Sequence, residues 1–198
     1  MINRLANSVA FFCVKQDIIS KTDKDNYSYG FELIIASAIN LVLVLLAGVL
    51  IGIKLGTVVF LVTFILTRCF IGGYHANTHA VCIILFTGIF IIIAVISIVM
   101  IEKWTPAYIL ISSLVFTLSV YYLAPAESEN KPLSQQKKKR FRRYSLILAC
   151  LNIEAAIISC IIPLFLSEII FFYFSGNLVS AISLILVKKR ERGKGKYG

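Results

Sequence analysis

From residue 31 onward the chain alternates long apolar runs with short polar breaks, and most of the runs are longer than a soluble helix or strand needs. Six stand out, at 31–53, 55–67, 80–101, 107–124, 144–167 and 169–187. Five approach the roughly 20 residues that carry a helix across a bilayer. The second is shorter: its uncharged stretch from Leu55 to Thr67 makes only about 20 Å of helix, against a hydrocarbon core of roughly 30 Å. Either that helix continues through Arg68 or its end lies below the headgroups. The pattern predicts an all-α, polytopic transmembrane helical bundle of about six segments with a short second one.

Ahead of the bundle, Ile2, Leu5, Val9 and Phe12 recur at spacings of three and four, with Asn3, Arg4, Asn7 and Ser8 on the flanks. This is the pattern of an amphipathic helix lying in the membrane interface, the alternative being a soluble cap packed on the bundle. Arg4, Lys15, Lys21 and Lys24 surround this weakly apolar stretch and no small-residue cleavage pattern precedes Lys15, so no removable signal peptide is expected. Residues 20–30 read as a polar connection. The chain is taken as one integral membrane domain over 1–198, with an interfacial region at 1–30, the bundle at 31–187 and a basic tail at 188–198.

Composition agrees with the pattern. Hydrophobic residues make up 59% of the 198 positions and charged ones 15%, with a mean hydropathy of +0.87, which is more apolar surface than one soluble core hides. The net charge of +10 lies in short runs beside apolar spans, where anionic lipid headgroups and topology account for it and nucleic acid does not. The five cysteines, Cys13, Cys69, Cys82, Cys150 and Cys160, show no disulfide-framework spacing. Cys69 reads as a buried, inert thiol, and Cys13, Cys150 and Cys160 as small packing residues.

Counting Lys and Arg on alternate sides of six spans puts eighteen on the side of the termini, Arg68 and the 131–143 loop. Only Lys54 and Lys103 fall on the other. The positive-inside rule then predicts cytoplasmic termini and a cytoplasmic 68–82 segment. Glu154 falls about 16 Å along a helix past Arg143, near the midplane, where a carboxylate needs a cation or polar groups in the bundle, or a proton. Glu32 stands at the start of the first span, where a helix N-terminus accommodates a carboxylate anyway.

Both histidines of the chain, His75 and His79, lie in the stretch from Arg68 to Cys82 between the second and third apolar runs. A cysteine is a good nucleophile only as thiolate, and His75 is the natural base for Cys82. On one straight helix the two would lie about 10.5 Å apart along the axis, out of hydrogen-bond reach. The backbone must break between them: Gly72-Gly73 permits a bend, and Asn77 or Thr78 can cap a new helix with Cys82 one turn inside it, where the dipole favours a thiolate. Arg68 is suited to an oxyanion or a substrate carbonyl. Two other readings stay open. His75, His79 and Cys82 at i, i+4 and i+7 would form a metal-binding face on an unbroken helix, as in a metal-binding or transport protein. The stretch could also serve a non-catalytic peptide-export scaffold.

In its span layout and its ordered residues the chain resembles the AgrB family (accessory gene regulator protein B) of membrane-embedded cysteine endopeptidases in bacterial peptide quorum sensing. The residues that carry the resemblance are Arg68, Gly72-Gly73-Tyr74-His75-Ala76, Cys82, Ala124-Pro125-Ala126 and Asn130-Lys131-Pro132. The resemblance implies that Cys82 and His75 are catalytic and that Arg68 and Gly73 support them. A polar residue early in the family's first span falls near Glu32, so a Cys82-His75-Glu32 arrangement with Glu32 orienting the histidine is expected. His79 belongs to no motif carried over.

The resemblance further implies an AgrD-type propeptide as substrate, with an amphipathic N-terminal helix, a signal sequence containing Cys or Ser, and an often acidic C-terminal tail. Cleavage through an acyl-enzyme thioester, followed by cyclisation to a thiolactone or lactone, is expected. No cofactor and no metal are implied, and a homodimer in the bacterial cell membrane is. The cations Lys137, Lys138, Lys139, Arg140, Arg142 and Arg143 are candidates for holding the acidic tail.

Overall fold

The computed structural model describes residues 2–72, 78–126, 134–161 and 167–194. These residues are helical throughout, as the apolar pattern requires. The helices are α1 (Ile2–Lys15), α2 (Lys24–Ile51), α3 (Lys54–Ile71), α4 (His79–Leu123), α5 (Gln135–Ile161) and α6 (Ser167–Lys194), with one turn of 3-10 helix at Lys21–Asp23. Among the described residues, five helical stretches are long and apolar enough to cross a membrane: Lys21–Ile51, Lys54–Ile71, His79–Val99, Pro106–Leu123 and Ser167–Lys189. The expected segment at 144–167 corresponds to α5, and its end at 162–166 lies outside the described residues.

The chain forms two compact units. The first holds α1, α2 as far as Ala47 and α4 as far as Ile91; the second holds the remainder of α2 and α4 together with α3, α5 and α6.

Within the first unit, α1 turns Ala6 and Ala10 inward, both fully buried, and leaves Leu5, Val9, Phe11 and Phe12 exposed. The alanines thus face inward and the bulky apolar side chains outward. The connection expected over 20–30 is shorter than its polarity suggested. The Ser20 hydroxyl accepts the Asp23 N–H and closes the 3-10 turn, and α2 starts at Lys24 and carries Ser28 and Glu32 on helix.

The second unit is built on α3 against α6. Phe60, Phe172 and Phe174 are fully buried, and Gly176 allows the close approach: a Cβ there would stand 3.0 Å from the Phe60 carbonyl oxygen. Buried hydroxyls pair across helices, Thr67 with Ser180 and Tyr108 with Ser175, each at 2.7 Å. Such pairing suits a bundle in lipid, where water offers no alternative partner. Glu154, for which a partner in the bundle or a proton was expected, sits on the exposed face of α5. The inward face of α5 there is taken by Asn152 and Ala156, both buried, and position 154 falls outside it.

Three elements differ in length from their apolar runs. α3 continues through Arg68 to Ile71 over 18 residues, about 27 Å, which resolves the short second segment by extension. The basic run at 137–143 is not a loop but the opening turns of α5, capped by Ser134, whose carbonyl accepts the Lys138 N–H at 2.9 Å; Gln, Lys and Arg are good helix formers, so the run folds as soon as it is capped. Finally, the runs expected at 80–101 and 107–124 lie on one 45-residue helix, α4, with Pro106 inside it. It carries two stretches of spanning length, His79–Val99 and Pro106–Leu123.

Candidate active site

In the second unit, the end of α3 is held from three directions. Gly72 leaves the helix at φ 75° and ψ −167°, its N–H still donating to the Arg68 carbonyl at 3.1 Å. The Ala126 N–H donates to the Ile71 carbonyl at 2.9 Å, so the Ala124-Pro125-Ala126 segment lies against the helix exit. From α5, the Ser145 hydroxyl donates to the Phe70 carbonyl at 3.1 Å, and the Tyr144 ring packs 5.2 Å from that of Phe70. Glycine is required at 72 on two counts. The positive φ disfavours any side chain, and a Cβ would meet the Ala126 carbonyl oxygen at 2.5 Å.

Arg68 lies one turn before this exit. Its Nη1 donates to Ser183 Oγ of α6 at 2.8 Å, and its guanidinium stands over the Phe64 ring at 5.5 Å. The ring and the hydroxyl hold the arginine fork in one direction at the end of the span.

In the first unit, α4 begins at His79. Of the two residues expected to cap it, Asn77 lies outside the described residues and Thr78 does the work: its Oγ1 accepts the Val81 N–H at 3.3 Å and its carbonyl the Cys82 N–H at 3.2 Å. Cys82 is therefore the fourth residue of the helix, half-buried, at the end with unpaired backbone N–H groups. α3 ends at Ile71, Gly72 is not helical and α4 starts at His79, so the unbroken helix that the metal-binding face required is not formed. His75 and Gly73 lie outside the described residues.

His75, which Glu32 was expected to orient, lies outside the described residues. Among the described residues Glu32 faces His79: Oε2 accepts the ring N–H of Nε2 at 3.0 Å, and Oε1 accepts the Asn3 amide. The contact with His79 has no local signature, because no short spacing connects positions 32 and 79. The one available signal was the cost of a carboxylate in an apolar span, which demands a partner.

Among the basic residues, Arg142 has a structural task. Its Nη1 donates to the carbonyls of Val120 at 2.9 Å and Ala124 at 2.7 Å, and its Nη2 to that of Tyr121, closing the C-terminus of α4, whose last carbonyls lack helix partners. Lys139, Arg140 and Arg143 line an open hollow of about 580 Å³ with Tyr144 and Ile147. Two of the remaining thiols depart from expectation: Cys69 and Cys150 are exposed, because neighbouring Thr67 and Ile71 on α3, and Ala149 on α5, occupy the inward positions; Cys13 is half-buried, and the side chain of Cys160 lies outside the description. Among the described residues, no three His, Cys, Asp or Glu side chains are grouped to hold a metal ion.

A helical membrane protein with a capped cysteine at the start of one span and a clamped arginine at the end of another is the class that these features define. The family model for accessory gene regulator B matches residues 2–187, and the chain belongs to that family. Two Clostridium perfringens relatives agree. An AgrB-like protein of strain SM101 / Type A is 26% identical over 187 residues, covering 88% of this chain and 83% of its own. AgrB-like protein 2 of strain 13 / Type A is 27% identical over 173 residues, covering 83% and 76% respectively. No solved structure matches the chain. Membership ties the protein to accessory gene regulator processing.

Proposed function

We propose that the protein is a membrane cysteine endopeptidase and cyclase acting on an AgrD-type propeptide, with Cys82 as nucleophile and His75 as proton carrier. The observation that supports this best is the placement of Cys82 one turn inside a helix capped by Thr78, which fixes the thiol at the N-terminal end of a span. The Cys82 thiolate attacks the carbonyl of the peptide bond preceding the C-terminal tail. Arg68 steadies the oxyanion or the substrate carbonyl, and Gly73 gives the backbone room to bring His75 to the thiol.

Collapse of the intermediate breaks the C–N bond. His75, carrying the thiol proton, gives it to the leaving amine, so the tail departs with a free amino group and the rest of the propeptide remains as a thioester on Cys82. The propeptide's own thiol or hydroxyl then attacks that carbonyl, the Cys82 sulfur leaves as thiolate, and a thiolactone or lactone is released. Thioester exchange with a thiol is nearly balanced, whereas an amide is harder to convert into a thioester, so departure of the tail helps drive the sequence. Exclusion of water favours ring closure over hydrolysis.

On this reading the termini and the site face the cytoplasm, as the eighteen-to-two distribution of Lys and Arg supports, and the protein works as a homodimer. The acidic tail is drawn to the opening turns of α5, where Lys139, Arg140 and Arg143 line the hollow; Lys137 and Lys138 add long-range attraction. The test is reconstitution in lipid vesicles with an AgrD-type propeptide. Cys82→Ala and His75→Ala should abolish release of the tail. Release at the parent rate from Cys82→Ala would end the proposal.

A further inference from the structure

The first unit carries a hydrogen-bond chain in which every donor points the same way. The Ser28 hydroxyl donates to Asn7 Oδ1 at 2.9 Å, Asn7 Nδ2 to Asn3 Oδ1 at 3.0 Å, and Asn3 Nδ2 to Glu32 Oε1. From the opposite side His79 Nε2 donates to Glu32 Oε2 at 3.0 Å. The Glu32 carboxylate is thus the terminal acceptor of a line running from α2 through α1 and back to α2, and of a single bond from α4. The Asn7–Asn3 and Asn3–Glu32 links are exposed, whereas the bond from His79 is partly buried. The Glu32 side chain is 14% exposed and that of His79 29%, so the pair is sheltered from competing water and from salt.

His79 is the first residue of α4 and Cys82 the fourth. Three positions apart on a helix, they are neighbours on one face. The opening turn of a helix is the part that most readily frays. Here it is fixed twice, by the Thr78 cap on the backbone and by Glu32 on the side chain of His79. If the second fixture is lost, the turn carrying Cys82 loses its hydrogen bond to Glu32 of α2.

We infer that His79 and Glu32 are positioning residues for the Cys82 thiol, holding the first turn of α4 in the arrangement that makes it reactive while touching no substrate. The inference extends the peptidase reading by assigning a task to a histidine outside the motif, and it gives Glu32 a partner other than the histidine it was expected to orient. Its consequence for propeptide cleavage rests on that reading; its consequence for the thiol does not.

The test is alkylation of the full-length protein in lipid vesicles by iodoacetamide, followed peptide by peptide so that Cys82 and the exposed Cys150 are read in the same sample. His79→Ala should slow alkylation of Cys82 about threefold or more, the scale on which contacting residues couple, and leave Cys150 unchanged. His79→Gln, which retains an N–H donor for Glu32, should return Cys82 to within about twofold of the parent. Glu32→Ala should slow it similarly, and the double alanine variant by less than the product of the two. The inference fails if His79→Ala leaves Cys82 alkylation unchanged, or if His79→Gln is as slow as His79→Ala. Altered alkylation in a protein whose Cys82→Ala form still cleaves propeptide would keep the positioning role and remove the peptidase; unchanged alkylation with an inactive Cys82→Ala form would do the reverse.

Discussion

Ala126 donates its backbone N–H to the carbonyl of Ile71 at 2.9 Å, closing the end of α3 with a segment 55 residues further along the chain. The Ala124-Pro125-Ala126 motif therefore acts on the entrance to the Gly-Gly-Tyr-His stretch through main-chain contact, with Gly72 as the point where the two backbones meet. Substituting Gly72→Ala combines a positive φ with a Cβ placed 2.5 Å from the Ala126 oxygen. It should cost about 2 kcal/mol or more and lower the thermal midpoint in detergent by several degrees. An unchanged midpoint would show that the exit is not held as described.

Arg142 and Arg143 are neighbours in sequence with opposite tasks. Arg142→Gln removes donors from the carbonyls that end α4 and should destabilise the protein by about 2 kcal/mol. Arg143→Gln should leave stability within about 0.5 kcal/mol and instead weaken capture of an acidic tail, with a shallower dependence on salt. Thermal unfolding of both variants beside a salt titration of tail binding separates the two effects.

The cap on α4 gives a graded series at one position. Thr78→Ser keeps the hydroxyl and should process propeptide close to the parent rate. Thr78→Ala should cost about 1 kcal/mol of local stability and slow acylation of Cys82, with the Michaelis constant little changed. Single-turnover rates of thioester formation measure this directly.

Across the α3 and α6 contact, Thr67 and Ser180 share a buried hydrogen bond of 2.7 Å. In a double-mutant cycle with Thr67→Val and Ser180→Ala, the coupling should be about 0.6 kcal/mol, the value usual within membrane bundles. A coupling near zero would mean that Thr67's second option, the Thr63 carbonyl 2.8 Å away, replaces the bond without loss.

The features legible in the sequence are those written by period and by local chemistry. The apolar runs mark the all-helical membrane fold, the spacing of Ile2, Leu5, Val9 and Phe12 the helix α1, and the pair Asn77-Thr78 the start of α4. What was missed depends on distant partners. Whether the second span continued through Arg68 was open in the sequence; Ser183 of α6 and the Phe64 ring take up the charge, and α3 runs past it. The contact of Glu32 with His79 of α4 had no sign in either local sequence. Cys69 looked buried because its neighbours are apolar, but in a membrane protein an apolar neighbourhood does not distinguish the inside of the bundle from its outer surface.

Because the basic run is helix and not loop, its cations have fixed bearings. Lys139, Arg140 and Arg143 fall within about 100° of arc, with Ile147 inside it and Tyr144 about 40° beyond its edge, while Arg142 lies about 100° from Arg143. On the proposed reading, an acidic tail meets cations set at fixed intervals along a helix, so that their order matters as well as their number. Two chains with the same six charges between residues 137 and 143, shuffled among themselves, would have the same topology signal and the same net charge, and on that reading would bind different tails.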